Sequence, residues 1–127
     1  MKQEQIDFWL DGAMRDWNTA KKLANTEHRD WALFIAQLAL EKILKGLIIA
    51  RQDTQPPMTH NLAKLAQLAS IELTEEQVKQ LSRIGMFNME ARYAETKFEL
   101  HKRATQSFTA EWMEIIEEYW QWFKKLY

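Results

Sequence analysis

The residues best suited to chemistry form a narrow polar strip on an otherwise apolar helical stretch. Gln37, Glu41 and Lys45 are spaced by four residues within Trp31–Ala50, so on a helix they fall within about 80° of one another. One interpretation is a solvent-facing edge with a weak Glu41–Lys45 ion pair. The other is a recognition surface that faces a groove or a second subunit, and the narrowness of the strip favours it.

A second group follows a Pro-Pro turn, at Thr59, His60 and Asn61. Thr59 is a good helix N-cap, because its hydroxyl can accept from a backbone N–H in the first turn. Capping therefore accounts for Thr59 without any binding role. The roles of His60 and Asn61 stay open at this point.

A third group is basic and aromatic. It starts at Arg92 and Tyr93 and continues through Lys97, Phe98, His101, Lys102 and Arg103. Guanidinium and ammonium groups at this density can hold an anion such as a nucleotide phosphate. A charged, solvated loop is the competing explanation.

Other kinds of chemistry have little support in the sequence. The three histidines, His28, His60 and His101, lie far apart, with no HxxxH or HExxH pair. There is no cysteine, no GxSxG turn and no glycine-rich phosphate loop. Neither a metal site, a cofactor nor a covalent nucleophile is predicted.

The composition indicates one globular domain. The chain has 127 residues, 46% of them hydrophobic, and a net charge of −1, which gives no general case for binding nucleic acid or an anionic membrane. The N-terminal stretch has no long apolar run, so no signal peptide is predicted. Charged residues in the middle of Trp31–Ala50 argue against a membrane span. A cytoplasmic location is expected.

Apolar residues recur with helical spacing through most of the chain, and glycine and proline are scarce. The fold class is therefore all-α, a bundle of four main helices plus one short helix. Trp31–Ala50 is apolar nearly all round, which predicts a central helix with Leu38 in the core. Met89–Arg103 reads as irregular or only partly helical. The predicted helices span about 4–25, 31–52, 60–70, 75–88 and 105–126.

Several of these motifs together resemble the HEPN (higher eukaryote and prokaryote nucleotide-binding) domain over nearly the whole chain, 1–127. The acidic Asp16 in the first helix and the segment 97–105 also fit. The motifs that carry the resemblance are Ala36-Gln37-x-Ala39-x-Glu41-Lys42-x-x-Lys45, Pro-Pro-x-Thr59-His60-Asn61-Leu62 and Ala91-Arg92-Tyr93.

The resemblance implies an up-and-down bundle of four to five helices that forms a homodimer. It also implies a partner, a minimal nucleotidyltransferase, in a two-component or toxin–antitoxin-like module. Many HEPN proteins are metal-independent ribonucleases with an Arg-x(4–6)-His motif. Here eight residues separate Arg92 from His101, so ribonuclease activity is not carried over and RNA is not an expected ligand.

The function predicted from the resemblance is a non-catalytic nucleotide- and partner-binding protein. Arg92 would hold a phosphate, Lys45 or Lys97 would add a point charge, and Tyr93 would stack on a base. Two alternatives stay open: a ribonuclease with a displaced Arg92/His101 pair, and a purely structural dimerisation bundle. The relatives' proline after Arg-Tyr is replaced by alanine. The candidate site residues are Gln37, Glu41, Lys45, His60, Arg92, Tyr93 and Lys97.

Overall fold

The helix that positions the rest of the fold is the second one, which packs against each of the other five. The computed structural model describes residues 2–127, and all regular structure in that range is helical. The all-α prediction is therefore confirmed, with more helices than the four plus one predicted. The helices are α1 Lys2–Leu23, α2 Arg29–Gln52, α3 Leu62–Leu68, α4 Glu75–Arg92, α5 Ala94–Arg103 and α6 Gln106–Lys124.

Central burial of α2 follows from its composition. The side chains of Leu33, Leu40, Leu44 and Leu47 are 0% exposed. These residues lie on several sides of the helix, so neighbours must cover most of its circumference. α1 returns along α2 as an antiparallel neighbour across the short connection 24–28, and α4 and α6 cover further faces.

One face of α2 is not covered, and here the sequence prediction was wrong. Leu38 is half-buried rather than in the core. Trp31, on the same face, is 42% exposed, and Phe34 and Ile35 are also half-buried. Helical spacing placed these residues together correctly. It does not show whether another helix packs on them.

Local signals set the helix boundaries. α2 ends because Asp53 takes a left-handed conformation and donates its N–H to the Ile49 carbonyl, and Pro56 and Pro57 follow. α4 starts at the predicted capping box, in which Thr74 and Gln77 bond reciprocally. The predicted cap of the third helix was wrong by two residues. Asn61, rather than Thr59, accepts from the first turn of α3.

The stretch 89–103 was predicted to be irregular, and it is helical. α4 continues to Arg92, Tyr93 takes an extended conformation, and α5 begins at Ala94. The stabilising contacts are tertiary. The buried Glu90 carboxylate accepts from Arg83 at 2.7 Å and from Arg103 at 3.0 Å, which ties α5 to α4.

No helix within residues 2–127 combines the length and the apolarity that crossing a bilayer requires.

A buried hydroxyl in α6 gives a simple stability test. Thr109 is 0% exposed, and its Oγ1 has no hydrogen-bond partner among residues 2–127. Burying an unpaired hydroxyl costs about 1–3 kcal/mol. Thr109→Val keeps the shape of the side chain, so it should raise the free energy of unfolding by about 1 kcal/mol in a urea titration.

The matched control is Thr105→Val at the start of the same helix. The Thr105 hydroxyl accepts from the Phe108 backbone N–H and caps α6. Its loss should lower stability by about 1 kcal/mol. Equal destabilisation by both substitutions would show that the Thr109 hydroxyl has a partner after all.

Candidate functional site

The predicted strip is the centre of a buried hydrogen-bonded group. One oxygen of the Glu41 carboxylate, Oε2, accepts from Lys45 Nζ at 3.0 Å. The other oxygen, Oε1, lies 2.7 Å from His60 Nδ1. His60 reaches Glu41 from the segment that precedes α3, 19 residues along the chain.

The group continues from α2 to α4. Gln37 Nε2 donates to Glu41 Oε1 at 3.1 Å, and Gln37 Oε1 accepts from Asn88 Nδ2 at 2.9 Å. Asn88 Oδ1 then accepts from Arg92 Nε at 3.0 Å and from Arg92 Nη2 at 2.6 Å. We call these five residues, Lys45, Glu41, Gln37, Asn88 and Arg92, the polar chain.

The solvent-edge interpretation of the strip is therefore wrong. Gln37 is 0% exposed, Glu41 5% and Lys45 8%. Buried polar groups are costly unless they are hydrogen-bonded. Each member of the strip meets that requirement through another member or through His60 or Asn88. The sequence did not reveal Asn88 as the bridge, although it precedes Arg92 by four residues on α4.

The Lys45 end of the polar chain is enclosed. Lys45 Nζ lies 5.5 Å from the centre of the Trp9 ring, in a cation–π contact. Nearby, the Tyr127 hydroxyl donates to the Ile43 carbonyl, and burial raises the pKa of that phenol above its usual range. Lys45 balances the charge of Glu41 and does not line the cavity described next.

The Arg92 end opens onto a surface cavity of about 310 Å³ between α4 and the segment before α3. His60, Asn88, Arg92 and Tyr93 supply its polar and aromatic groups, and Met86 and Met89 are among its apolar ones. Such a mixture of apolar wall and few polar groups is typical of small-molecule sites. Of the seven predicted site residues, His60, Arg92 and Tyr93 line this cavity, and Gln37 and Glu41 support it from below.

Lys97 lies elsewhere. It lines a separate depression of about 260 Å³ together with Trp31, Phe98 and His101, and His101 Nδ1 is 3.5 Å from the Asp30 carboxylate. The predicted basic cluster is split because α5 is a helix and turns its side chains in different directions.

The other basic groups of that cluster are also occupied. Arg103 pairs with Glu90, and Lys102 Nζ lies 4.6 Å from the centre of the Phe98 ring. The displaced pair considered above, Arg92 with His101, therefore faces two different cavities.

A third polar feature joins α1 to α2. Lys42 Nζ lies 2.7 Å from Asp16 Oδ2, beside a depression lined by Phe8, Trp9 and Arg15. Asp16, which fits the family resemblance, thus pairs with a lysine and has no contact with the polar chain. This pair holds the two helices together and is not part of the cavity at Arg92.

The fold and the site together define an all-helical domain in which a buried polar chain ends at a surface cavity. The sequence model of the HEPN domain matches residues 6–126, so the chain belongs to the HEPN domain family. No curated protein matches the sequence significantly.

One solved structure is similar to this one: TT1696 from Thermus thermophilus. The superposition has a TM-score of 0.78 at 21% sequence identity and covers 97% of this chain and 98% of the other. At that identity the likeness shows a shared fold and nothing about ligand or activity.

Proposed function

We propose that this HEPN protein binds a nucleotide in the cavity at Arg92, has no catalytic activity of its own, and acts in the cytoplasm with a protein partner. The observation that supports the proposal most is the polar chain, which presents the Arg92 guanidinium to a half-open cavity. A buried, fully bonded scaffold beneath one charged group is typical of a preorganised binding site.

The free donors of Arg92 suit a phosphate. Its Nε and Nη2 atoms are engaged by Asn88, whereas Nη1 donates to no protein group within residues 2–127. Guanidinium donors form strong charge-assisted bonds to phosphate oxygens. Tyr93, 49% exposed beside Arg92, offers a ring on which a base can stack.

Calorimetric titration with AMP, ATP and GTP tests nucleotide binding. Arg92→Ala should weaken the affinity about tenfold or more, since hydrogen bonds to charged groups contribute about 1.5–3 kcal/mol. The variant should stay folded, because Arg92 is exposed.

Arg51→Ala, an exposed arginine at the end of α2, is the matched control and should bind as the parent does. No binding by the parent protein at millimolar nucleotide would contradict the proposed function. Equal affinity of the parent and Arg92→Ala would contradict the role of Arg92.

We further propose a homodimer, through the uncovered face of α2 defined by Trp31, Phe34, Ile35 and Leu38. This face is continuous with Phe98, which is 61% exposed and lines the same depression as Trp31. Exposed aromatic clusters of this kind are common at protein interfaces. A purely structural dimerisation bundle would use the same face but leave the cavity at Arg92 without a ligand.

The proposed partner, by resemblance to the family, is a minimal nucleotidyltransferase in a two-component or toxin–antitoxin-like module. Co-expression of this chain with such a protein encoded beside its gene, followed by size-exclusion chromatography, tests the pairing. Co-elution is the expected result, and separate elution at micromolar concentration would contradict it.

A further inference from the structure

His60 is held in one orientation by Glu41. Its Nδ1 lies 2.7 Å from a carboxylate oxygen that is already bonded by Gln37. An ionised carboxylate only accepts hydrogen bonds, so Nδ1 must carry the hydrogen. In the neutral ring the other nitrogen, Nε2, is then a bare acceptor.

The segment around His60 is also fixed. Gln37 Nε2 lies 3.5 Å from the His60 backbone carbonyl, and the Thr59 hydroxyl accepts from the Asn61 N–H. Lys45 occupies the remaining Glu41 oxygen, so the carboxylate has no free oxygen with which to engage a ligand directly. The imidazole is therefore the group that carries the influence of Glu41 to the surface.

The outer edge of the ring faces the cavity. The His60 side chain is 56% exposed and is part of the cavity wall. No protein group within residues 2–127 donates to Nε2. The cavity thus presents two complementary groups: a cationic donor, Arg92 Nη1, and a neutral acceptor, His60 Nε2.

We propose that this pair sets the specificity of the site: the ligand must carry an anionic group for Arg92 and a hydroxyl or amino donor for His60 Nε2. The inference rests on the proposed nucleotide-binding function and adds His60 as the specificity-determining residue. For a nucleoside monophosphate the donor is either a ribose hydroxyl or the exocyclic amine of the base.

Matched ligands separate these two sources. The probes are AMP, 2′-deoxy-AMP, 3′-deoxy-AMP and inosine monophosphate, titrated at about pH 8, where imidazole is neutral. The analogue that lacks the relevant donor should bind about five- to tenfold more weakly than AMP, because it leaves the acceptor unpaired. The deoxy analogues report on the ribose, and inosine monophosphate reports on the amine.

Two substitutions of His60 test its role. The amide nitrogen of His60→Asn can take the place of Nδ1 and still donate to Glu41, but the side chain has nothing at the position of Nε2. This variant should bind AMP and the weaker analogue equally. The longer His60→Gln can place its Oε1 near the position of Nε2, and it should keep part of the preference.

The outcomes distinguish this inference from the function on which it rests. If AMP binds and all three analogues match it, the selection by His60 is wrong while nucleotide binding stands. A preference for AMP that persists unchanged in His60→Asn also overturns the inference. If no nucleotide binds the parent protein, the proposed function itself fails, and the inference fails with it.

Discussion

Glu41→Leu should lower the free energy of unfolding by about 3–5 kcal/mol, because it leaves a buried cation without its partner. Lys45 is 8% exposed, and Glu41 is the acceptor of its salt bridge. The same change removes the acceptor for Gln37 Nε2 and His60 Nδ1. Guanidinium chloride titration followed by circular dichroism measures the loss.

Two control variants make this result specific. Glu117→Leu replaces an exposed glutamate on α6 and should change stability by less than about 0.5 kcal/mol. The double variant Glu41→Leu/Lys45→Leu removes both charges, so it should be more stable than Glu41→Leu alone. If the single and double variants unfold at the same denaturant concentration, Lys45 does not depend on Glu41.

Leu44→Asp should abolish soluble expression, whereas Leu38→Asp on the same helix should leave a folded protein. Leu44 is 0% exposed, and a carboxylate there has no cation to pair with, which costs several kcal/mol. Leu38 is half-buried on the uncovered face of α2, so an aspartate there can reach water. The soluble fraction and the far-ultraviolet circular dichroism spectrum separate the two outcomes.

Leu38→Asp also tests the proposed homodimer. A charge in the middle of the uncovered face of α2 should turn a dimeric protein into a monomer, measured by light scattering coupled to size-exclusion chromatography. Loss of folding in Leu38→Asp would show that this face is covered within the chain. A dimer that survives the substitution would place the interface on another surface.

Short-range signals in the sequence predicted much of the fold. The capping box at Thr74 and the end of α2 before Pro56 each depend on a few neighbouring residues. The long apolar pattern of α2 predicted a central helix for the same reason. The sequence also placed Gln37, Glu41 and Lys45 on one side of that helix.

The remaining features depend on contacts between distant segments. Whether the strip was buried depended on what covered it, and the covering residues are His60 and Asn88, the latter 51 positions from Gln37. The helix α5 was missed because its anchor is the pairing of Arg103 with Glu90 on another helix. Periodicity within a single segment carries no information about such pairings.

The direction of the bonds in the polar chain has a consequence for how related sequences diverge. Gln37 must donate at one end and accept at the other, and Asn88 must do the same. An acidic replacement at either position would set two acceptors against each other, so one substitution alone is disfavoured. Neutral drift through this site is therefore expected to proceed by paired changes, and homologues that differ at position 37 should differ at position 88 as well.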